Sequence, residues 1–275
     1  MTKTVYEEGI HSITNEQYHA SEGVSRSALW TFKELPQKYW YQYLSGDYER
    51  PRETEAYLIG NLVHTALLEP HLIGEQYYEI PKVNRTTKQG KLDYEAAMAE
   101  SGGRILVNEM QMRQGLDMVS SLISEQLDVI SGAQFEKSIY WRDQETGIMC
   151  KCRPDILNDP LCADLKTTDD ASPRGFQLSA VKYGYFLQAA MIYEGLKSIG
   201  MPFEKFLFIC VEKKKPYPVG MYLLDDEALQ YGLDLFHSLL RRFKVCQDKN
   251  EWPGYGVASL SVPKYATMEL ENDLR

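Results

Sequence analysis

The spacing of apolar residues divides the chain into two parts near residue 131. In the first part apolar residues recur every three or four positions, which is typical of amphipathic helices. Pro36 separates the first two helices, and Pro70 ends the third. A short irregular or partly helical lead precedes them, and polar segments at 45–54 and 81–91 predict loops. The predicted helices span residues 28–35, 37–44, 55–69, 92–100 and 108–130.

The second part alternates apolar and polar positions and is rich in β-branched and aromatic residues, a pattern that predicts strands. Asn158-Asp159-Pro160 predicts a tight connection between the second strand and the third. We expect a meander of three strands, a helix, two more strands and a final helix, which together form a mixed sheet flanked by helices. The predicted strands are 135–141, 148–157, 161–166, 203–212 and 219–224, and the helices are 179–199 and 225–244.

The order of these elements predicts one α/β domain over residues 1–275. Residues 1–130 are expected to form a mostly helical N-terminal elaboration, residues 131–245 the core that contains the sheet, and residues 246–275 a C-terminal tail. A chain of 275 residues can bury a sizeable core. It has no internal repeat and no low-complexity segment, so repeat architectures are not indicated.

The net charge of −9 argues against a protein that coats nucleic acid with its whole surface, but it leaves room for a locally basic channel. No apolar run is long enough to cross a bilayer, and the longest, at 206–211, suits a buried strand. The first residues lack the basic start and apolar stretch of a signal peptide. We therefore expect a cytoplasmic protein that does not bind membranes.

Five cysteines, an odd number, fit the reducing cytoplasm. Cys150, Cys152 and Cys162 lie close together, which raises the possibility of a metal–thiolate site. Only one residue separates Cys150 from Cys152, where zinc knuckles use two to four, and no fourth ligand is evident. The pattern favours small apolar side chains on strands over a metal site.

The chemistry is concentrated at Asp155, Asp164 and Lys166. Asp155 lies near the end of one predicted strand and Asp164 on the next, so a tight turn can bring both carboxylates to one end of the sheet. Lys166 follows Asp164 by two residues, which places both side chains on one face of the strand. Buried without partners, these charges would be costly. A divalent cation with oxygen ligands, Mg²⁺ or a substituting Mn²⁺, removes that cost.

With a metal at that point, phosphodiester hydrolysis is a coherent mechanism. The ion generates hydroxide from bound water, and a second ion can stabilise the leaving oxygen. Lys166 can orient or deprotonate the attacking water, or neutralise charge on the phosphorus. The alternative is purely structural: Asp155 is then a turn residue, Asp164 an edge-strand charge and Lys166 its ion-pair partner. An isolated Asp-x-Lys is common, so these three residues alone do not decide between the two.

Further motifs strengthen the first interpretation. Arg153-Pro154-Asp155 followed by Asp164-Leu165-Lys166-Thr167-Thr168 resembles the PD-(D/E)xK nuclease superfamily. The branch that it resembles most contains the phage-type RecE exonuclease C-terminal domain, with RecB and lambda exonuclease as more distant relatives. The resemblance runs from about residue 22 to 245 and implies a restriction-endonuclease-like core. It extends to Gly60-Asn61-Leu62-Val63-His64, to Gln188 within Tyr185–Ala190, and to Ser25-Arg26-Ser27-Ala28-Leu29.

The resemblance implies roles for two more side chains. His64 would lie at the metal and phosphate centre, and Gln188 would bind DNA or position the lysine. Without the companion motifs, His64 is more simply a hydrogen-bonded core histidine, and Gln188 is a buried amide that needs partners. Glu136, at the start of the first predicted strand, is a candidate for a further metal ligand, with a solvated strand residue as the alternative.

Several basic and polar residues are candidates for DNA binding. Arg26, with the hydroxyls of Ser25 and Ser27 at a helix start, can bind a terminal phosphate, as a comparable pocket does in lambda exonuclease. Simple helix capping is the alternative. Backbone phosphates are the expected partners of Arg85, Lys88 and Lys91. The run 213–215 and the aromatic cluster at 39–43 are more simply explained by a solvated loop and by core packing.

The resemblance implies a magnesium-dependent 5′→3′ exodeoxyribonuclease that digests one strand from double-stranded DNA ends. The remaining 3′ tail would serve recombination with a RecT/Bet-like single-strand annealing protein, in a bacterial or phage-infected host cytoplasm. Relatives form rings, so a homo-oligomeric ring is also implied. The alternatives are a PD-(D/E)xK endonuclease, a single-strand-specific nuclease and, in another class, a non-catalytic DNA-end-binding or annealing protein.

Overall fold

The computed structural model describes residues 4–49, 51, 54–84, 86–125, 127–201 and 203–264. The helices are α1 (Asn15–Ala20), α2 (Arg26–Glu34), α3 (Pro36–Tyr43), α4 (Glu55–Leu68), α5 (Ile73–Gln76), α6 (Lys88–Glu100), α7 (Glu109–Ser124), α8 (Pro173–Tyr183), α9 (Tyr185–Ser198) and α10 (Asp226–Lys249). The strands are β1 (Gly9–His11), β2 (Tyr77–Ile80), β3 (Ile105–Asn108), β4 (Gln134–Phe135), β5 (Ser138–Arg142), β6 (Met149–Cys152), β7 (Ile156–Asn158), β8 (Leu161–Thr168), β9 (Lys205–Glu212) and β10 (Val219–Leu223).

A five-stranded mixed sheet in the order β10-β9-β8-β7-β4 forms the centre of the fold. β8 and β9 run parallel in register from the pair Leu161 and Lys205 to the pair Thr168 and Glu212. The other pairs in this sheet are antiparallel. The predicted fold class, a mixed α/β sheet with flanking helices, is confirmed, and the architecture is that of a restriction-endonuclease-like core.

The predicted three-strand meander is correct in its two antiparallel connections, β5 with β6 and β7 with β8, but two of its strands are broken and divided between two sheets. The first breaks at Glu136, whose φ of 52° lies in the left-handed region, so β4 joins the central sheet while β5 joins a second sheet, β1-β5-β6. The second breaks at 153–155, where Pro154 has no N–H to donate to a ladder. A backbone hydrogen bond joins the two breaks: the Glu136 N–H donates to the Asp155 carbonyl at 3.1 Å.

Other boundaries also differ from the predictions. The helix predicted over 179–199 is two helices, because Gly184 (φ 71°) ends α8 in the left-handed conformation and α9 starts directly after it. The loop predicted at 81–91 ends earlier, since Thr87 caps α6. The sequence pattern also missed β1 and the parallel pair β2-β3. Long-range pairing of such short segments leaves little periodicity in the sequence.

Two apolar clusters cover the two faces of the central sheet. On one face, α2, α9 and α10 pack against strand residues such as Phe206 and Phe208. On the other face, α4 and α7 cover Leu165 and Ile209. Cys150, Cys152 and Cys162 lie buried in the first cluster, in apolar surroundings. Within the described part of the chain, no helix has the length and apolarity needed to cross a bilayer.

Candidate active site

The candidate site lies where β8 loses its neighbour on one side. β7 pairs with β8 only as far as Ile156 opposite Ala163. The same register places Asp155 opposite Asp164, at the point where the chain has left the ladder. The Asp155 carboxylate accepts a hydrogen bond from the Leu165 N–H at 2.7 Å. A side chain thus occupies the position in the ladder that a strand would otherwise fill.

Three side chains from different elements converge at this edge. His64 on α4, Glu136 at the break between β4 and β5, and Asp155 before β7 each offer a ligand atom, and these atoms lie within 4.8 Å of one another. The His64 Nδ1 is 3.6 Å from Asp155 Oδ2. α4 approaches β8 closely at Gly60, where a Cβ would meet the Thr167 Oγ1 at 3.2 Å. The glycine therefore lets the helix bring His64, one turn later, to the sheet edge.

Asp164 and Lys166 lie on one face of β8, as their spacing predicts. The Lys166 ammonium forms an ion pair with Asp164 Oδ2. On the other oxygen, Asp164 Oδ1 accepts a hydrogen bond from the Gln188 Nε2 at 2.5 Å. The Gln188 Oε1 is buried and has no hydrogen-bond partner in the described part of the chain. This oxygen can accept a hydrogen bond from water or substrate.

The carboxyl groups are crowded, and their pKa values show it. Burial and the neighbouring Asp155 raise the pKa of Glu136 from 4.5 to about 7, despite the opposing effect of Arg153. Burial and Asp164 raise the pKa of Asp155 well above its usual range. Like charges held this close favour protonation in the absence of a cation. The chemistry of the donor set, one imidazole and two carboxylates, therefore fits a divalent metal ion.

Lys166 and His64 respond to this environment in opposite directions. Burial lowers the pKa of Lys166, but Asp164 and Asp155 together raise it by more, so the ammonium is charged at neutral pH. Burial, followed by the charge on Lys166, lowers the pKa of His64. The neutral imidazole is the form that binds a metal. The arrangement thus presents a metal ligand and a fixed positive charge side by side.

Arg153 helps to shape this site, a role that the sequence pattern did not reveal. Its Nε donates to Glu136 Oε2 at 2.6 Å, and its Nη1 donates to the Ser138 hydroxyl at 2.7 Å and the Ile13 carbonyl at 3.0 Å. Arg153 thus holds the Glu136 side chain toward the cluster. Its position directly before Pro154-Asp155 was the available signal, but its partner could not be identified without the strand break.

We expect the crowded carboxylates to make the metal-free protein less stable as the pH rises. The folded state holds the Glu136 proton up to about pH 7, whereas the unfolded chain releases it near pH 4.5. Between these values the folded state binds more protons, so the free energy of unfolding falls with rising pH. Urea unfolding in EDTA at a series of pH values measures this slope.

Glu136→Gln should reduce that slope, since the group that titrates is gone. Glu8→Gln is the matched control, because Glu8 is an exposed acid that lies 3.9 Å from the Arg142 guanidinium. Adding Mg²⁺ should also flatten the wild-type slope, because metal binding favours the deprotonated carboxylates. Identical slopes in Glu136→Gln and wild type would contradict the prediction.

At the start of α2, where the sequence predicts a phosphate site, only Ser25 acts as a helix cap. Ser25 caps α2 by accepting a hydrogen bond from the Ala28 N–H at 3.3 Å, which matches the capping alternative. Ser27 is exposed. The Arg26 Nη1 donates to the Tyr183 carbonyl at 3.3 Å, which places its guanidinium at the start of the helix that carries Gln188. Arg26 therefore lies beside the candidate site rather than at a remote surface.

The other residues predicted to bind DNA have no contact with the candidate site in the part of the chain that the structure describes. Lys88 and Lys91 are exposed in the first turn of α6, and Arg85 lies outside the described residues. In the run 213–215, Lys213 is paired with Asp169 at 2.8 Å and Lys215 lies 3.7 Å from Asp117. The aromatic cluster at 39–43 is divided, with Tyr39 buried and stacked on Tyr43 while Trp40 and Tyr41 are exposed.

Comparison with known proteins places this geometry in a wider context. A solved structure described as a "putative exonuclease" from Eubacterium rectale is similar over 94% of this chain and 98% of its own, with a TM-score of 0.61 and 15% sequence identity. At that identity the likeness shows a shared fold. The crystal structure of a protein named SSO0001 matches 77% of this chain and 86% of its own at 14% identity, with a TM-score of 0.29, too low to indicate a shared fold. No curated protein matches the chain.

A family model covers most of the chain. The family is described as a PDDEXK-like domain of unknown function, DUF3799, and its model matches residues 25–260. The matched segment contains every residue of the cluster, from His64 to Gln188. Membership of this family supports a nuclease, and it agrees with the arrangement of Asp155 directly before β7 and of Asp164 and Lys166 on β8. The chain therefore belongs to the PDDEXK-like family DUF3799, within the PD-(D/E)xK nuclease superfamily.

Proposed function

We propose that this protein is a Mg²⁺-dependent 5′→3′ exodeoxyribonuclease that digests one strand from double-stranded DNA ends and leaves 3′ single-stranded tails. The observation that carries the proposal is the convergence of His64, Glu136 and Asp155 beside the Asp164–Lys166 pair. A structural ion pair needs none of the first three residues at that place. In a hydrolytic metal centre each of them has a role as a ligand.

The residues of the candidate site have two proposed roles: some bind the cation, and others contact the phosphate. His64, Glu136 and Asp155 would hold Mg²⁺, with Asp164 as the further predicted ligand. When bound, the ion supplies Lewis acidity and a water of lowered pKa. Lys166 provides a positive charge beside the carboxylates, where it stabilises negative charge that develops on the phosphate. Gln188 holds Asp164 through its Nε2 and leaves its Oε1 free to orient water or the substrate strand.

Exonuclease action and its direction rest on the features around α2. Arg26 reaches the Tyr183 carbonyl beside the α9 helix, and the N-terminus of α2 favours an anion. A 5′-terminal phosphate bound there would place the first phosphodiester near Lys166. The resemblance to RecE-like exonucleases supports the same polarity.

We also propose a RecT/Bet-like annealing protein as the partner, a homo-oligomeric ring and a cytoplasmic location. The ring would let an acidic protein enclose DNA in a locally basic channel.

Incubation with linear and with closed circular duplex DNA tests the proposal directly. With Mg²⁺ the protein should degrade linear duplex and leave circles intact, and EDTA should stop the reaction. A label at either end of one strand shows the polarity, because 5′→3′ digestion releases a 5′ label at once and a 3′ label last. Ends with a 5′-phosphate should be degraded faster than 5′-hydroxyl ends, and Arg26→Ala should remove that difference.

The alternatives predict different products. A PD-(D/E)xK endonuclease would cut the circles, and a single-strand-specific nuclease would degrade denatured DNA while sparing the duplex. A non-catalytic DNA-end-binding or annealing protein would bind linear DNA without releasing label under any metal condition. Activity that persists in EDTA would contradict the metal-dependent mechanism.

A further inference from the structure

The connection between α8 and α9 places two tyrosines beside the lysine of the candidate site. The Lys166 Nζ lies 5.0 Å from the centre of the Tyr185 ring. That ring is fixed from behind, because it packs nearly parallel to Phe176 at 5.8 Å and against Phe208 at the same distance. Tyr185 precedes Gln188 by three residues, so both lie on the face of α9 that is turned toward Lys166. An aromatic wall therefore borders the charged centre.

Tyr183 extends this wall toward solvent. Its ring centre lies 6.0 Å from that of Tyr185, with the planes inclined by 32°, and the side chain is 45% exposed. The backbone beneath it is firmly held: Gly184 adopts φ 71°, and the Trp30 ring fills the space where a Cβ would be, at 2.4 Å. The Arg26 guanidinium binds the Tyr183 carbonyl. An exposed aromatic ring is thus presented on a rigid support.

The charges around these rings suit a polyanion. Residues 171–193 contain no aspartate or glutamate, although the chain as a whole has 39 acidic residues and a net charge of −9. The Lys182 Nζ lies 5.1 Å from the centre of the Tyr183 ring. The Arg26 guanidinium, which comes from α2, donates a hydrogen bond to the Tyr183 carbonyl. Cations that flank exposed aromatic rings are the recurring arrangement of single-stranded nucleic acid sites, where bases stack and phosphates are neutralised.

We propose that Tyr183 and Tyr185 form a stacking site for an unpaired base of the DNA strand whose adjacent phosphate lies at Lys166. The proposal rests on the proposed nuclease function and adds a requirement about the substrate. A base within a duplex is already stacked and paired, so its face is not available to a protein side chain. The terminal pair has one free face, but its bases remain paired, and we propose that the site takes a base that has left the duplex. The enzyme therefore favours frayed ends, where opening the terminal pairs costs least.

Binding measured in EDTA tests the site without hydrolysis. The probe is a 5′-phosphorylated DNA strand with 2-aminopurine as its first or second base, since stacking quenches the fluorescence of this base. We expect quenching by the wild-type protein. Tyr183→Leu should remove the quenching and weaken single-strand binding roughly tenfold, the size that loss of one base–aromatic stack produces. Tyr183→Phe, which keeps the ring, should retain both.

Tyr41→Leu is the matched control, because Tyr41 is 47% exposed on α3 and forms its ring contact with Tyr48 instead. In the presence of Mg²⁺, wild type should degrade a duplex with mismatched terminal pairs faster than a fully paired blunt duplex, and Tyr183→Leu should lose this difference. Unchanged thermal midpoints would show that the variants are folded.

The outcomes separate this proposal from the proposed function. Wild-type quenching and affinity in Tyr183→Leu, or an equal loss in Tyr41→Leu, would overturn the stacking site even if the protein degrades linear DNA as proposed. Absence of nuclease activity in the wild type would overturn the proposed function. Tyr183-dependent quenching in EDTA would still support the stacking site in that case, because that measurement requires no hydrolysis.

Discussion

Replacement of Lys166 by methionine is expected to slow DNA hydrolysis by about a thousandfold, the order of loss found when a group that stabilises transition-state charge is removed. Methionine keeps most of the unbranched side chain and removes the positive charge. The structure places that charge against Asp164 and beside the three candidate metal ligands. Single-turnover rates on a labelled linear duplex at saturating Mg²⁺ measure the effect.

Two further measurements separate a chemical role of Lys166 from a structural one. DNA affinity in EDTA should change only slightly, and Mg²⁺ should still raise the thermal midpoint, because His64, Glu136 and Asp155 remain. Lys213→Met is the matched control, since Lys213 is also a lysine paired with an aspartate next to the central sheet. A Lys166→Met protein that is folded and hydrolyses DNA at the wild-type rate would contradict the mechanism.

Replacement of Asp155 by asparagine is expected to have opposite effects on activity and on stability. Activity should fall by at least about a hundredfold, because a charged ligand is removed from a centre whose work is electrostatic. The metal-free protein, however, should become more stable above pH 7. Asparagine removes a negative charge that is crowded against Asp164 and Glu136, and its amide oxygen can still accept the hydrogen bond from the Leu165 N–H.

Thermal unfolding with EDTA and with Mg²⁺ tests this pair of effects. Wild type should unfold at a lower temperature than Asp155→Asn in EDTA, and the increase that Mg²⁺ produces in wild type should be largely lost in the variant. Asp169→Asn, which alters an 80% exposed partner of Lys213, should behave like wild type. A metal-free Asp155→Asn protein that is less stable than wild type would indicate that the carboxylate is structurally required rather than strained.

The sequence predicted those parts of the site that depend on local periodicity. Asp164 and Lys166 share a face because strand residues two apart always do, and Gly60 and His64 share a face because residues four apart on a helix do. The placement of Asp155 and Asp164 at one end of the sheet followed from the tight turn at 158–160. These relations needed no knowledge of the rest of the fold, although the assignment of His64 to the centre also needed the family resemblance.

The sequence did not predict the features that depend on a broken element. Glu136 was a candidate ligand from the sequence, but the break that carries it to the cluster was not predicted: its backbone is left-handed, a conformation that a non-glycine residue adopts only when its surroundings enforce it. Arg153, in the break that follows β6, holds the Glu136 side chain through a hydrogen bond. Gly184 lies within a continuous helical pattern, so the α8–α9 break that exposes Tyr183 leaves no periodic signal. Tertiary contacts decide all three.

Beside β8 the Asp155 carboxylate takes the position of a neighbouring strand. This arrangement has a consequence for the association of the protein with other chains. Beyond Asp164 no strand in the described part of the chain pairs with this edge of β8, and an open edge is a template on which another chain can add a strand. At this edge the Leu165 N–H is already occupied by Asp155, and His64 and Glu136 lie beside that carboxylate. We therefore expect Asp155, a proposed metal ligand, also to hinder the addition of another chain at this edge, so that selection for either property would retain the same carboxylate.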